Sequence, residues 1–468
     1  MIVKSEQFLF YFLFFAIPLQ TRKILYSPGW YFNEWQSVSV YATDIILLAL
    51  FAFWLANSYQ KLSYYVLRIM YYGKNFKSLI LNTKDPVKAR GPLGFSGLIQ
   101  KPDFYLVLFM AAAAVSVINS SSVVLSAYNL LKLVEFATFY FYVKNYAFYK
   151  FGFSKSLLFI FLGGVFQAGI AVLQFLKQSD LGLRILGESV LAPDLTGVAS
   201  FFNLNGEKII RAYGATPHPN IVAAYLFLSI FSFYFLWFYK KIKRVNSAFL
   251  SYALILFGFF STFSRVAIFL LFANFAVRGG LLSFLFKKNL FGRRLVRIYW
   301  FTGVVILIFV LAFWPEVLSR VKISSGEEAV RLRVFYNKES LSSFNLFGAG
   351  PGNFVNWLMA KDPNLPRNLF QPVHNIYLLI FSENGFLGLA IFAAFLAFLV
   401  KDFIKRTKLE RFHHYSILLV FSSFLFLGFF DHFLWTLQQG RFLLWLVLAL
   451  LTINENDDMI GKQSSSYA

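Results

Sequence analysis

Five histidines occur in 468 residues, and one of them, His374, stands where a polar loop gives way to a long apolar run. Imidazole titrates near neutral pH, so a histidine at such a boundary is a candidate general base. The plain alternative is a histidine that hydrogen-bonds at a helix start. Two more histidines, His218 and His432, also sit at the ends of apolar runs, and His432 follows Asp431 directly. That acid–imidazole pair reads either as chemistry or as a turn at the membrane interface. Glu383 lies nine residues beyond His374. In a regular helix that is two and a half turns, which puts the carboxylate on the opposite face and about 13 Å along the axis. Direct contact between the two is therefore not expected, although Gly385 marks a place where the helix can break.

Arginines gather on the same side of the chain. Arg211 closes a polar stretch, RAYGATPHPN, in which Pro219 can open a helix at little cost. Ser264-Arg265 sits between two apolar runs. A charge placed so is costly unless it is paired, snorkels to the interface or faces a wet cavity. Snorkelling accounts for a lone Arg265, but Arg331 and Arg333 join it on a face where positive charge is disfavoured. Several arginines outside are the natural partners of an anion.

Other chemistries lack their residues. With no cysteine, disulfides, thiolate metal sites and cysteine nucleophiles are excluded. There is no H-E-x-x-H and no G-x-S-x-G, and no paired Asp-x-Asp on the arginine-bearing side. The run Gly348-Ala-Gly-Pro-Gly352-Asn353 has the glycines of a phosphate loop without the Gly-Lys-Ser/Thr that would follow, so a tight turn is the better reading.

These residues are positioned by membrane-spanning elements. The chain is 58% hydrophobic and 14% charged, with mean hydropathy +0.61. A soluble globular fold is excluded by such a composition. Twelve apolar spans are expected near 8–20, 38–56, 103–118, 127–146, 156–176, 219–239, 247–263, 266–285, 298–313, 376–400, 415–430 and 434–451. The segment from Phe8 lacks a small-residue cleavage site and reads as a first span. The formal charge of +22 is parcelled into loops 57–102, 240–244, 287–297 and 401–411, as a positive-inside bias requires, and nucleic-acid binding is not implied. Both termini are then cytoplasmic, and long loops at 177–218 and 315–373 are external. Residues 1–150 form an N-terminal set of helices with an irregular basic linker at 57–102, residues 151–451 the core, and 452–468 a polar tail. The fold class is thus an all-α integral membrane protein.

Taken together, His374-Asn375, nine residues, then Gly385-Phe-Leu-Gly388 resembles the H-[NSQ]-x9-G-x-x-G signature of the O-antigen ligase and polymerase superfamily. Arg211…Gly214…His218-Pro219-Asn220, Ser264-Arg265 and Gly348-x-Gly-x-Gly352-Asn353-Phe354 occur in that family's order, over roughly residues 150–451. The resemblance implies a GT-C-type, metal-independent, inverting membrane glycosyltransferase of cell-envelope polysaccharide synthesis, without a cofactor, in the bacterial inner membrane. The implied donor is a glycan on undecaprenyl pyrophosphate, and the implied acceptor a hydroxyl of lipid A core, another glycan or a protein. Arg211 and Arg265 would stabilise the leaving pyrophosphate and His374 would accept the acceptor's proton. His218, Asn220, Arg331, Arg333, Asn375, Glu383 and His432 are the candidate substrate-binding set, with Tyr213 and Trp357 as candidate sugar-stacking rings. Twelve spans also suit a secondary transporter of an anion or lipid-linked sugar, but such proteins place their polar groups near the midplane.

Overall fold

The computed structural model describes residues 2–28, 32–72, 101–239, 242, 244–285, 290–321, 328–407 and 412–453. The expected polar tail and the linker beyond Tyr72 lie outside these residues. The chain is mostly helical. In order, the helices are α1 (Ile2–Ala16), α2 (Ala42–Tyr72), α3 (Pro102–Ser116), α4 (Val123–Tyr142), α5 (Phe153–Lys177), α6 (Pro219–Tyr239), α7 (Val245–Ser261), α8 (Arg265–Leu285) and α9 (Leu290–Ala312). They continue with α10 (Trp314–Val321), α11 (Glu328–Ser342), α12 (Phe354–Lys361), α13 (Ile376–Arg406), α14 (Phe412–Gly428), α15 (Phe433–Thr436) and α16 (Gln438–Leu450), and a further single turn, Phe148–Phe151, lies between α4 and α5.

Among the described residues, six segments are long and apolar enough to cross a membrane: Pro102–Asn119, Val123–Phe151, Phe153–Lys177, Pro219–Phe238, Gly292–Ala312 and Ile376–Arg406. Shorter apolar helices occupy Ala42–Asn57, Val245–Ser261 and His414–Gly428. One expectation is corrected. The helix that begins at Ala42 does not give way to an irregular linker at Asn57 but continues to Tyr72. The mostly helical structure agrees with the all-α class, and two small hairpins join its helices: β1 (Arg22–Tyr26) pairs antiparallel with β2 (Val38–Tyr41) and β3 (Ser200–Phe202) with β4 (Lys208–Ile210). Hairpins of this size satisfy backbone groups in the loops that connect spans.

At the centre lies α6, whose apolar window is buried all round, as expected of a helix without a polar face. It packs against α5 and α7 through small residues. A Cβ on Gly258 would stand 2.7 Å from the Ala168 Cα, and one on Gly164 would strike Ser229. Close backbone approach between α5 and its neighbours depends on those glycines.

The helical pattern is broken inside α13. Gly385 there has φ 73° and ψ 179°, a region open in practice only to glycine. The chain at 345–350 enters the break and takes over the interrupted ladder. Ala349 N–H donates to the Ser382 carbonyl (2.9 Å) and Gly350 N–H to that of Glu383 (2.9 Å), while Phe386 and Leu387 N–H donate to Asn345 and Leu346 (3.1 and 3.2 Å). The glycine run before α12 is thus a tight loop, with positive φ at Gly348, Gly350 and Gly352, docked into the helix beyond His374.

Candidate functional site

Four loop-to-helix junctions converge. Asn375 is the N-cap of α13, its Oδ1 accepting from the backbone N–H of Tyr377 (2.9 Å) and Leu378 (3.1 Å). That cap fixes the entry of the chain and holds the preceding residue, His374, at the mouth of the span. Pro219 opens α6, with His218 just outside it and Asn220 in its first turn. The turn 261–264 between α7 and α8 carries Phe263 in the left-handed region (φ 45°), an uncommon conformation for a bulky residue. It aims the Thr262 carbonyl and Ser264 hydroxyl at the same place. The fourth junction, between α14 and α15, brings Asp431 and His432.

Asn220 ties them together. Its Oδ1 accepts from Arg211 Nη2 (2.6 Å) and Ser264 Oγ (3.0 Å), and its Nδ2 donates to Asp431 Oδ2 (2.6 Å). Arg211 also donates Nε to the Thr262 carbonyl (2.7 Å). The Asn220 backbone N–H donates to His218 Nδ1 (3.2 Å), which fixes that ring as an acceptor there. His432 Nδ1 shares a hydrogen bond with Thr436 Oγ1 (2.8 Å). The rings of His374 and His432 meet edge to face at 4.9 Å, and Tyr336 stacks on His374 at 5.5 Å. Arg333 reaches in from α11, donating Nε to the Phe430 carbonyl (3.2 Å). Asp431 and His432 are buried, whereas Arg211, His218 and His374 are half-buried.

The electrostatics follow from burial and from one carboxylate among three imidazoles. Burial would raise Asp431, but His432, His218, His374 and the Asn220 amide outweigh it and hold the carboxyl down at about 2. Burial pushes His218 down to about 4, with Arg211, His374 and Arg333 adding to the effect and Asp431 opposing it. His432 falls to about 3, again chiefly by burial, with His374 next. His374 is lowered by burial and by Arg333 against the pull of Asp431. All three rings are therefore neutral at physiological pH beside an ionised aspartate. Arg211 is pushed down to about 9 by burial first and then by Arg320, with Arg265 adding repulsion. Three guanidinium groups thus bear on one spot, and an anion there would relieve them.

The expected residues are only partly gathered. His374, His218, His432, Asn220, Arg211, Arg265 and Arg333 share this neighbourhood, and Asn375 supports it as a cap. Arg331 is exposed on α11. Glu383 does not join the histidines, since it precedes the break at Gly385 and faces the backbone N–H groups of Gly352 and Phe354. Tyr213 is 3% exposed and its hydroxyl accepts from Ala199 N–H, so it packs the loop and presents no open ring face to a sugar. Trp357 packs beside Phe354 and under the Lys361 ammonium. Sequence reasoning left Asp431 open between chemistry and an interfacial turn, and it did not place Arg320, Trp35 or Tyr336 at the site. Asp431 meets Asn220 across 211 positions of chain, a pairing no local pattern announces.

Residues 250–393 match the family model described as O-antigen ligase. The comparison with curated proteins finds no match to this chain.

Proposed function

We propose that the chain, whose residues 250–393 match the O-antigen ligase family model, is a membrane glycosyltransferase of the O-antigen ligase and polymerase superfamily that transfers a glycan from undecaprenyl pyrophosphate to an acceptor hydroxyl on the extracytoplasmic face. The observation that carries this reading is the junction of two unlike groups: guanidinium groups from one loop and two helices beside neutral imidazoles. The first suits a pyrophosphate, the second a proton acceptor.

In this scheme Arg211 and Arg265 grip the pyrophosphate, with Arg320 close behind. Arg265 opens α8, where the positive end of the helix dipole also favours an anion. The acceptor oxygen forms its bond to the anomeric carbon from the face opposite the pyrophosphate, which inverts that centre. Its proton passes to His374, and the electron pair of the breaking C–O bond leaves on the phosphate oxygen. Charge grows on the leaving group where the arginines already stand, so the stabilisation is largest in the transition state. Asp431 holds Asn220, and through it Arg211, while its charge offsets the imidazolium that forms at His374. The twelve-span, GT-C-type architecture with both termini cytoplasmic belongs to the same proposal, and its support is that the basic loops alternate with the apolar helices.

The test is a purified, reconstituted protein given lipid-linked glycan and membrane acceptor with no ion gradient. Formation of a glycosylated product with release of undecaprenyl pyrophosphate is expected. Movement of intact lipid-linked glycan across the bilayer without any product would sink the enzyme and favour a transporter.

A further inference from the structure

Behind the histidines lies a second polar region, which the transfer scheme does not use. A cleft is lined by Trp35, Tyr128 and Trp435 as walls and by Asn129, Glu383 and Arg441 as polar groups. Asn129, Glu383, Trp435 and Arg441 also line an adjoining cavity, so these four form the neck between the two.

Most charges around it are already satisfied. Arg22 is bound to Glu34 (2.7 Å) and to the Tyr41 hydroxyl (3.1 Å). Lys132 pairs with Asp44 (2.6 Å) and Glu135 (2.9 Å). Arg441 and Glu383 share the neck without pairing, Glu383 turning to the backbone N–H groups of Gly352 and Phe354. They are 8% and 6% exposed, and no ion pair closes between them within 4.0 Å among the described residues. Arg441 donates Nε to the Trp435 carbonyl (2.7 Å) and Nη2 to Asn129 Oδ1 (2.8 Å), which leaves Nη1 for the cleft. Two ionisable groups buried on one cleft in a membrane bundle, with no ion pair between them, are costly unless a polar ligand meets them.

The lining defines what fits. A lipid tail is refused by the guanidinium and the polar groups beside it. A pyranose ring suits it, because each hydroxyl can donate to Glu383 and accept from Arg441, while the ring's C–H face lies on an indole or phenol. The cleft also adjoins the imidazoles. The Trp35 ring meets that of His432 edge-on at 4.8 Å, Thr436 holds His432 Nδ1, and Pro372 lies two residues before His374. Asn220 and Arg211 stand on the other side of Asp431 and His432.

We propose that this cleft is a glycan subsite, in which Glu383, Arg441 and Asn129 clamp the hydroxyls of one pyranose ring and Trp35 or Trp435 stacks on it, beside the histidines. The inference rests on the glycosyl-transfer reading and adds the place where a sugar is recognised. The ring belongs either to the acceptor or to the glycan carried by the donor, and the two sources share this chemistry.

The experiment uses the full-length protein in nanodiscs without donor. Three diazirine-bearing methyl glycosides, of glucose, galactose and N-acetylglucosamine, are photocrosslinked and the adducts mapped by mass spectrometry. At least one is expected to label peptides containing Trp35, Tyr128 or Trp435, to be competed by its unlabelled glycoside, and to lose about tenfold or more of that label in Glu383→Gln. Trp35→Ala, at the rim of the cleft, gives the same loss where Arg441 variants fail to fold. Retention of the label on adding undecaprenyl-pyrophosphate N-acetylglucosamine assigns the ring to the acceptor, and its displacement assigns it to the donor. No labelling by any of the three, or labelling that ignores both substitutions, overturns the subsite. Glycosyl transfer assayed separately keeps the two ideas apart: product without cleft labelling removes the subsite alone, and cleft labelling without product removes the transferase alone.

Discussion

Replacing Asn220 by alanine should separate the leaving-group arginine from the aspartate beneath the histidines. Three hydrogen bonds are lost together: Arg211 Nη2 at 2.6 Å, Asp431 Oδ2 at 2.6 Å and Ser264 Oγ at 3.0 Å. The first two involve charged groups, each worth roughly 1.5–3 kcal/mol. Arg211 keeps its bond to the Thr262 carbonyl, so the guanidinium stays near but turns freely about that anchor. If the two charged bonds serve chiefly to orient the site in the transition state, about 3–6 kcal/mol is withdrawn from it, or about 10²–10⁴ in rate. Water entering the half-buried space would replace part of this, which favours the lower end, near 10². Ser264→Ala is the internal comparison, since it removes one neutral bond and should cost no more than about tenfold. The assay is product formation by purified protein from lipid-linked glycan, with thermal unfolding in the same nanodiscs to show that both variants are folded. An Asn220→Ala protein that is folded and transfers within about threefold of wild type would refute the hub.

The remaining predictions concern the scaffold, the charge state and the orientation. Gly385→Ala puts a Cβ on the Leu346 carbonyl at a φ that alanine avoids, so the docked loop should be expelled, with transfer down by at least about tenfold and a clearly lower melting temperature, whereas Gly303→Ala, with open space around it, should change neither. Folded-state values of about 4 for His218 and about 3 for His432, both below the ordinary 6.5, mean that the unfolded chain binds more protons in that window. Stability is therefore fully present above about pH 6.5 and is lost as pH falls toward 4 and 3, which thermal unfolding from pH 8 to 4.5 will register, and a flat profile would contradict the buried cluster. A reporter fused after Glu328 should be exported and one fused after Thr407 retained in the cytoplasm. The reverse pattern would put the histidines on the wrong face for a lipid-pyrophosphate donor.

Much of the site was legible in the sequence because its parts lie at element boundaries, where residue type is dictated locally. Pro219 marks a helix start and Gly385 a break, and each stands where its chemistry requires, whereas Asn375, expected to bind substrate, caps α13. What could not be read was partnership across the chain. Nothing near Asp431 distinguishes it from an aspartate in an interfacial turn, since the amide that binds it lies 211 residues away. Arg441 sits in an apolar helix and is recognisable as a lining group only once Asn129 and Glu383 are seen around it. Helical geometry did put Glu383 out of reach of His374. It did not reveal that a glycine loop from 345–350 would fill the break beside it, because that loop satisfies hydrogen bonds belonging to another element.

The most direct test of the central claim separates binding from chemistry at His374. Undecaprenyl-pyrophosphate glycan is titrated onto wild-type and His374→Ala protein in nanodiscs, and single-turnover transfer is then followed in the same samples. With imidazole as the base and arginines as the anchor, donor affinity should stay within about threefold while transfer falls by roughly 10²–10⁴. A His374→Ala protein that transfers glycan at the wild-type rate, or that loses donor binding in proportion to its loss of transfer, would contradict the account.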